Sequence, residues 1–199
     1  MIKAISKEEW GSAQAGEINH YNYRNKDNYK QSVHIILKDY FKINLETDLV
    51  NKKILESGGG CYPAAYFCTG LKKAVNIEPL YDKFPDHIKT TLADAKIDCI
   101  SIGFEDYTDN LKFDEIWFFN VLQHVRDPYL QIENAKRIAN VIRVFEPIDC
   151  PTNNEHPHSF SIQFFKEQFP DTEVKEYKGG SSAGFHGANC AYLTWTKKE

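Results

Sequence analysis

Residues 54–60 read ILESGGG, a short apolar run that ends on three consecutive glycines. Glycine alone takes left-handed backbone conformations without steric cost, and it lets another group approach the main chain closely. A strand that closes on such a turn and reopens as a helix is the first unit of an open α/β sheet. Ligands in these sheets sit beyond the carboxyl ends of the strands, where the strand order reverses. KKILE (52–56) is therefore read as the first strand and PAAYFCTGL (63–71) as the helix after it. The first N–H groups of that helix would face a ligand.

The alternation continues along the chain. AVNIE (74–78), IDCISI (97–102), FDEIWFF (113–119) and VIRVFE (141–146) read as the next four strands. PDHIKTTLADAK (85–96) and DPYLQIENAKRIAN (127–140) read as helices, the second opened by Asp127 and Pro128. SIQFFKEQF (161–169) is a further helix; TEVKEY (172–177) and CAYLTWT (190–196) have no helix between them and read as a hairpin. Ahead of the strands, Trp10, Gln14, Glu17 and Tyr21 recur at helical spacing behind Ser6, and KDNYKQSVHIILKDYFKINL (26–45) has one apolar face. The pattern predicts a Rossmann-like three-layer αβα sandwich, with a seven-stranded, mostly parallel sheet and a C-terminal antiparallel β-hairpin. A length of 199 residues suits one domain, with 1–48 as a helical cap and 50–150 as the ligand-binding core.

An acidic residue ending the second strand, about 20 positions past the glycines, holds the ribose hydroxyls of an adenosine-containing ligand. Glu78 stands there, at 78 − 58 = 20. The dinucleotide pattern GxGxxG would need Gly at 63, where the chain has Pro63 after the bulky Tyr62. No phosphate loop GxxxxGK[ST] is present. A pyrophosphate needs close backbone approach along this loop, and a methionine tail does not.

The formal net charge of −4 carries no basic excess, which argues against nucleic acid as a partner. The N-terminus MIKAISKEEWGSAQ has no signal-peptide core and no apolar run is long enough to span a bilayer. The five cysteines, 61, 68, 99, 150 and 190, form no CxxC pair. A cytoplasmic protein without a membrane partner is expected.

ILESGGG, Glu78, IGFEDY (102–107) and FDEIWFFNVLQHVRDP (113–128) together resemble the successive motifs of class I S-adenosylmethionine-dependent methyltransferases. The resemblance implies S-adenosylmethionine as cofactor. It implies Glu56, Gly58, Gly59 and Gly60 at the methionine end, Glu78 on the ribose, and Pro79 and Leu80 beside the adenine. It also implies Phe104 and Glu105 at the adenine edge, and Asn120 with Val121 under the methionine portion. Tyr62 and Phe104 depart from the family pattern, standing where many members have a third Gly and an acid.

The acceptor side is less defined. Glu146 ends the fifth strand, and His156 and His158 flank Pro157 in NNEHPHSF just after it. A histidine suits removal of a proton from an attacking hydroxyl or amine, so His158, His156 and Glu146 are the candidate general bases, in that order. His124, His156, His158 and His186 are the candidate substrate contacts. The HxH spacing beside Glu155 invites a metal reading, but no third ligand cluster accompanies it and no metal is expected. Ser159 or His158 is read alternatively as the cap of the next helix. NVLQ (120–123) stands where DNA amino-methyltransferases carry [ND]PP[YF], so a small-molecule or saccharide acceptor is favoured. A nicotinamide-dependent oxidoreductase and a non-catalytic cofactor-binding domain stay open as alternatives, and so does a homodimer.

Overall fold

In the computed structural model, residues 2–21, 25–179 and 187–198 are described. Two helices come first. Helix α1 (Lys7–Tyr21) opens on a capping box, in which Ser6 Oγ accepts from Glu9 N–H at 3.1 Å while Ser6 N–H donates to Glu9 Oε2 at 2.8 Å. Helix α2 (Lys26–His34) is capped by Asn25, whose side chain accepts from the N–H groups of Asp27 and Asn28. It widens into a π-helical segment over Ile35–Tyr40, so the long second helix read from sequence changes its winding midway.

The strands are β1 (Lys53–Ser57), β2 (Lys73–Ile77), β3 (Ile97–Ile100), β4 (Phe113–Phe119), β5 (Ala139–Pro147), β6 (Lys175–Tyr177) and β7 (Cys190–Thr196). They form one sheet in the order β3-β2-β1-β4-β5-β7-β6. Strands β1 to β5 pair in parallel, and β7 runs antiparallel to both β5 and β6. The order reverses between β1 and β4, which puts a crevice at their carboxyl ends.

Strand β4 lies in the middle of the sheet. Phe113, Ile116, Trp117 and Phe118 are all buried, as a strand covered on both faces requires. Helices α4 (Pro128–Ile138) and α5 (Ile162–Gln168) cover one face through Ile132, Ala135, Ile138, Phe164 and Phe165. The other face takes Val33 of α2, Leu37 of the π-helical segment, and Ile88 and Leu92 of α3 (Asp86–Asp94). Asp127 caps α4 by accepting from Tyr129 and Leu130 N–H, with Pro128 at its first turn. Helix α5 is capped by Ser161, which accepts from Phe164 N–H, rather than by Ser159 or His158.

The segment after β1 differs from its sequence reading. PAAYFCTGL makes one 3₁₀ turn, Ala64–Phe67, and not a full helix. Cys68 is already extended, and Gly70 turns the chain with φ +72° toward β2. Among the described residues no helix is long and apolar enough to cross a membrane, and the five cysteines are free thiols.

Candidate active site

A cavity of about 950 Å³ opens at the reversal point. Its floor is the glycine turn. Gly58 and Gly60 have φ of +65° and +60°, and a Cβ on Gly58 would collide with Val121 from the end of β4. The turn is tied to β2 by side chains. Asn76 Oδ1 accepts from Gly59 N–H at 3.1 Å, and Asn76 Nδ2 donates to the Gly60 carbonyl at 3.2 Å. Glu78 Oε2 accepts from Gly60 N–H at 3.0 Å, while its Oε1 accepts from Leu80 N–H at 3.0 Å.

Glu56 faces the same turn from β1. Its carboxylate accepts from the N–H groups of Ala64 and Ala65, at 2.9 and 3.1 Å. Those donors favour the charged form, but burial outweighs them and pushes the carboxyl up to about 7. The N–H groups at the start of the 3₁₀ turn are therefore engaged by the protein itself.

Across the crevice, Asn120 takes φ +57° at the end of β4, a left-handed position that asparagine tolerates better than most residues. Its Oδ1 accepts from Gln123 Nε2 at 2.9 Å. Glu105 lies to one side, where its Oε1 accepts from the N–H groups of Arg126 and Asp127 at 2.7 and 3.0 Å.

The roof comes from segments distant in sequence. Trp10, Gln14 and Glu17 of α1 and Tyr29, Ser32 and Val33 of α2 line it, together with Cys150, Glu155 and His156. Trp10 Nε1 donates to the His124 carbonyl at 3.1 Å. The His124 ring packs edge-on to His156, with centroids 4.5 Å apart, and its Nδ1 lies 3.3 Å from Glu17 Oε1.

Of the residues expected at a cofactor, Glu56, Gly58, Gly59, Glu78, Pro79, Phe104, Glu105, Asn120 and Val121 line the cavity. Gly60 and Leu80 stand behind its wall as partners of Glu78. Among the histidines, His124 and His156 line it, and His186 lies outside the described residues. Two candidate bases are corrected. His158 is buried away from the cavity, with Nε2 2.8 Å from the Val125 carbonyl, and desolvation lowers its pKa. Glu146 is fully buried beneath the crevice, where its Oε1 accepts from Val121 and Leu122 N–H at 2.8 and 3.0 Å. It braces the end of β4 and does not reach the cavity. Sequence reasoning missed Asn76, whose signal was a polar residue set between the apolar Val75 and Ile77 in β2.

No protein-family profile matches the sequence, and no curated protein is similar to it at the sequence level. Solved structures are similar in fold. The N-methyltransferase NodS from Bradyrhizobium japonicum WM9, solved with S-adenosyl-L-homocysteine, gives a TM-score of 0.64 at 15% identity, covering 96% of this chain and 99% of that one. The 1,6-didemethyltoxoflavin-N1-methyltransferase of Burkholderia thailandensis, solved with 1,6-didemethyltoxoflavin and S-adenosylhomocysteine, gives 0.66 at 11% identity, covering 100% of this chain and 93% of that one. The cyclase SpnF gives 0.62 at 12% identity, covering 84% of this chain and 81% of that one. The chain thus has the class I methyltransferase fold, which houses more than one chemistry.

Proposed function

We propose that this chain is an S-adenosylmethionine-dependent methyltransferase acting on an oxygen or nitrogen of a small molecule. The charge of the cavity carries the reading. Glu17, Glu56, Glu78, Glu105 and Glu155 line it, and among the described residues no Lys or Arg does. A dinucleotide pyrophosphate laid on the glycine turn would meet the carboxylates of Glu56 and Glu78. It would also find the N–H groups of Gly59, Gly60, Ala64 and Ala65 already bonded to protein oxygens. A ligand that brings a sulfonium and an ammonium to the same place is electrostatically matched. The same charge pattern disfavours the nicotinamide alternative.

In this reading Glu56, Gly58 and Gly59 border the methionine end and Glu78 the ribose. Pro79 and Phe104 flank the adenine, and Asn120 and Val121 lie under the methionine portion. Bound there, the cofactor supplies a methyl group already activated on sulfur. The protein has to align the acceptor with that group and keep water out. Helices α1 and α2 supply the cover, and His124 and His156, beside Glu17, are the wall groups able to handle the acceptor's proton. A neutral hydroxyl- or amine-bearing molecule, saccharides included, suits an acidic wall better than an anion does.

The test is a calorimetric titration with S-adenosylhomocysteine, and with NADH in parallel, on the wild type, Glu78→Ala and Glu78→Gln. Micromolar binding of S-adenosylhomocysteine, weakened by both substitutions, supports the reading. Silence toward it, or a preference for NADH, overturns it.

A further inference from the structure

We propose that Glu17, His124 and His156 form a binding site for one divalent transition-metal ion on the acceptor side of the cavity. One carboxylate oxygen of Glu17 and one ring nitrogen from each histidine lie within 4.8 Å of one another. All three residues line the cavity. The three come from α1, from the turn after β4 and from the loop after β5, so only the fold brings them together.

One ligand–ligand distance already falls in the range of a coordination shell. Ligands held about 2.1 Å from one ion sit about 3.0 Å apart at octahedral angles and about 3.4 Å apart at tetrahedral ones. His124 Nδ1 is 3.3 Å from Glu17 Oε1 and 3.0 Å from the carbonyl oxygen of Glu155. That carbonyl accepts the Nδ1 proton, which a metal ion at this nitrogen would displace. With all three atoms within 4.8 Å of one another, the widest pair must close by up to about 0.6 Å to sit on opposite sides of one ion, about 4.2 Å apart, and by up to about 1.4 Å to sit at a tetrahedral angle, a movement open to side-chain rotation. The Glu155 side chain also packs on α1, where a Cβ on Gly16 would stand 2.7 Å from its Oε1.

Two imidazoles and a carboxylate suit zinc, manganese, cobalt, nickel or ferrous ions better than magnesium or calcium. The other acidic side chains of the cavity, Glu78, Glu105 and Glu155 among them, add a field that favours a cation. Such a set leaves coordination positions open to the cavity. Given the methyl transfer proposed above, on which this part rests, the acceptor is then one that ligates the ion through oxygen. Its hydroxyl proton is then released to solvent more readily, and His124 and His156, occupied by the ion, act as ligands in place of handling that proton themselves. In the transfer itself the C–S bond breaks and the O–C bond forms, with the C–S electron pair left on sulfur.

Untagged protein, stripped with a chelator, is titrated calorimetrically with Zn2+ and by visible absorption with Co2+, without cofactor. One equivalent of saturable binding is expected, weakened about tenfold or more by Glu17→Gln and by His156→Ala. His87→Asn, at an exposed surface position, leaves it unchanged. Circular dichroism establishes that each variant is folded, and His124→Asn replaces any that is not. Absence of one-equivalent binding, or binding indifferent to Glu17 and His156, overturns the site. S-adenosylhomocysteine is titrated into the same samples. Cofactor binding without metal binding sinks this site and leaves the methyltransferase reading standing. Metal binding without cofactor binding does the reverse, and removes the acceptor assignment.

Discussion

The floor and the roof of the cavity are built differently. On the floor, the bonds of Glu56 and Glu78 end on main-chain N–H groups, and the turn itself is fixed by backbone angles at Gly58 and Gly60. The partners lie between residues 56 and 80, within two adjacent βα units. The roof is held by side chains that reach other segments, as Trp10 of α1 reaches His124, 114 residues on, and Tyr29 of α2 packs against Tyr62. A floor of this kind is specified by local sequence and has little room to vary. A roof of side chains changes its ligand with a few substitutions, which is how one fold comes to serve many acceptors.

The contrast breaks most visibly at Gly58. Gly58→Ala puts a side chain at φ +65° and drives its Cβ into Val121. A left-handed alanine costs about 1–2 kcal/mol and overpacking about 1–3 more. Cofactor affinity should fall about 30-fold or more, with a lowered melting temperature, if roughly 2 kcal/mol of that is felt in the bound state. Calorimetry with S-adenosylhomocysteine reads the first and a thermal melt the second. Wild-type affinity in this variant would mean that the floor yields as readily as the roof.

A second effect comes from beneath the floor. Burial raises Glu146 from its ordinary 4.5 to about 8, against the pull of the Val121 and Leu122 N–H groups, and Cys190 lies nearby. Its Oε2 is buried and has no hydrogen-bond partner among the described residues. The folded state therefore keeps a proton that the unfolded chain releases near pH 4.5. Stability from this group is fully present below that pH and is lost as pH rises toward about 8, by up to about 1.4 kcal/mol per pH unit. Glu146→Gln keeps the oxygen that accepts from Val121 and Leu122 and removes the titration. Urea denaturation at pH 5, 6, 7 and 8 should show the wild type losing ground to Glu146→Gln across that range. Parallel profiles would show that Glu146 stays charged when folded.

The difference between floor and roof also decides what the sequence could reveal. FDEIWFF and the Gly58-to-Glu78 spacing are local signals, so strand β4 and the place of Glu78 at the cavity are legible in the sequence. PAAYFCTGL looked helical because a short apolar run does not announce its winding. Glu56 engages its first N–H groups, and the chain is already extended by Cys68. His158 was ranked ahead of His156 as a base, yet it is His156 that lines the cavity. EHPHSF is irregular chain, with no period to tell which ring faces in. Glu17 recurs at helical spacing with Trp10, Gln14 and Tyr21, and that spacing alone does not mark it as a cavity group. The usable sign was a helix whose inward face, Trp10, Ala13, Gln14 and Glu17, is half polar.

The smallest effect tests whether roof and floor open separately. Trp10 Nε1 donates a 3.1 Å hydrogen bond to the His124 carbonyl, and its ring lies beside Gly103. Trp10→Phe keeps an aromatic ring and deletes that bond, at a cost of about 1 kcal/mol. If α1 lifts as a unit, its amides should exchange with solvent roughly fivefold faster. The amides of Gly59 and Gly60, bonded to Asn76 and Glu78, should keep their wild-type protection. Faster exchange at both would make roof and floor one cooperative unit, and the acceptor side could then not be altered without disturbing the cofactor side. Acceleration confined to α1 would mean that the roof moves over a fixed floor, with entry to the cavity governed by a single helix.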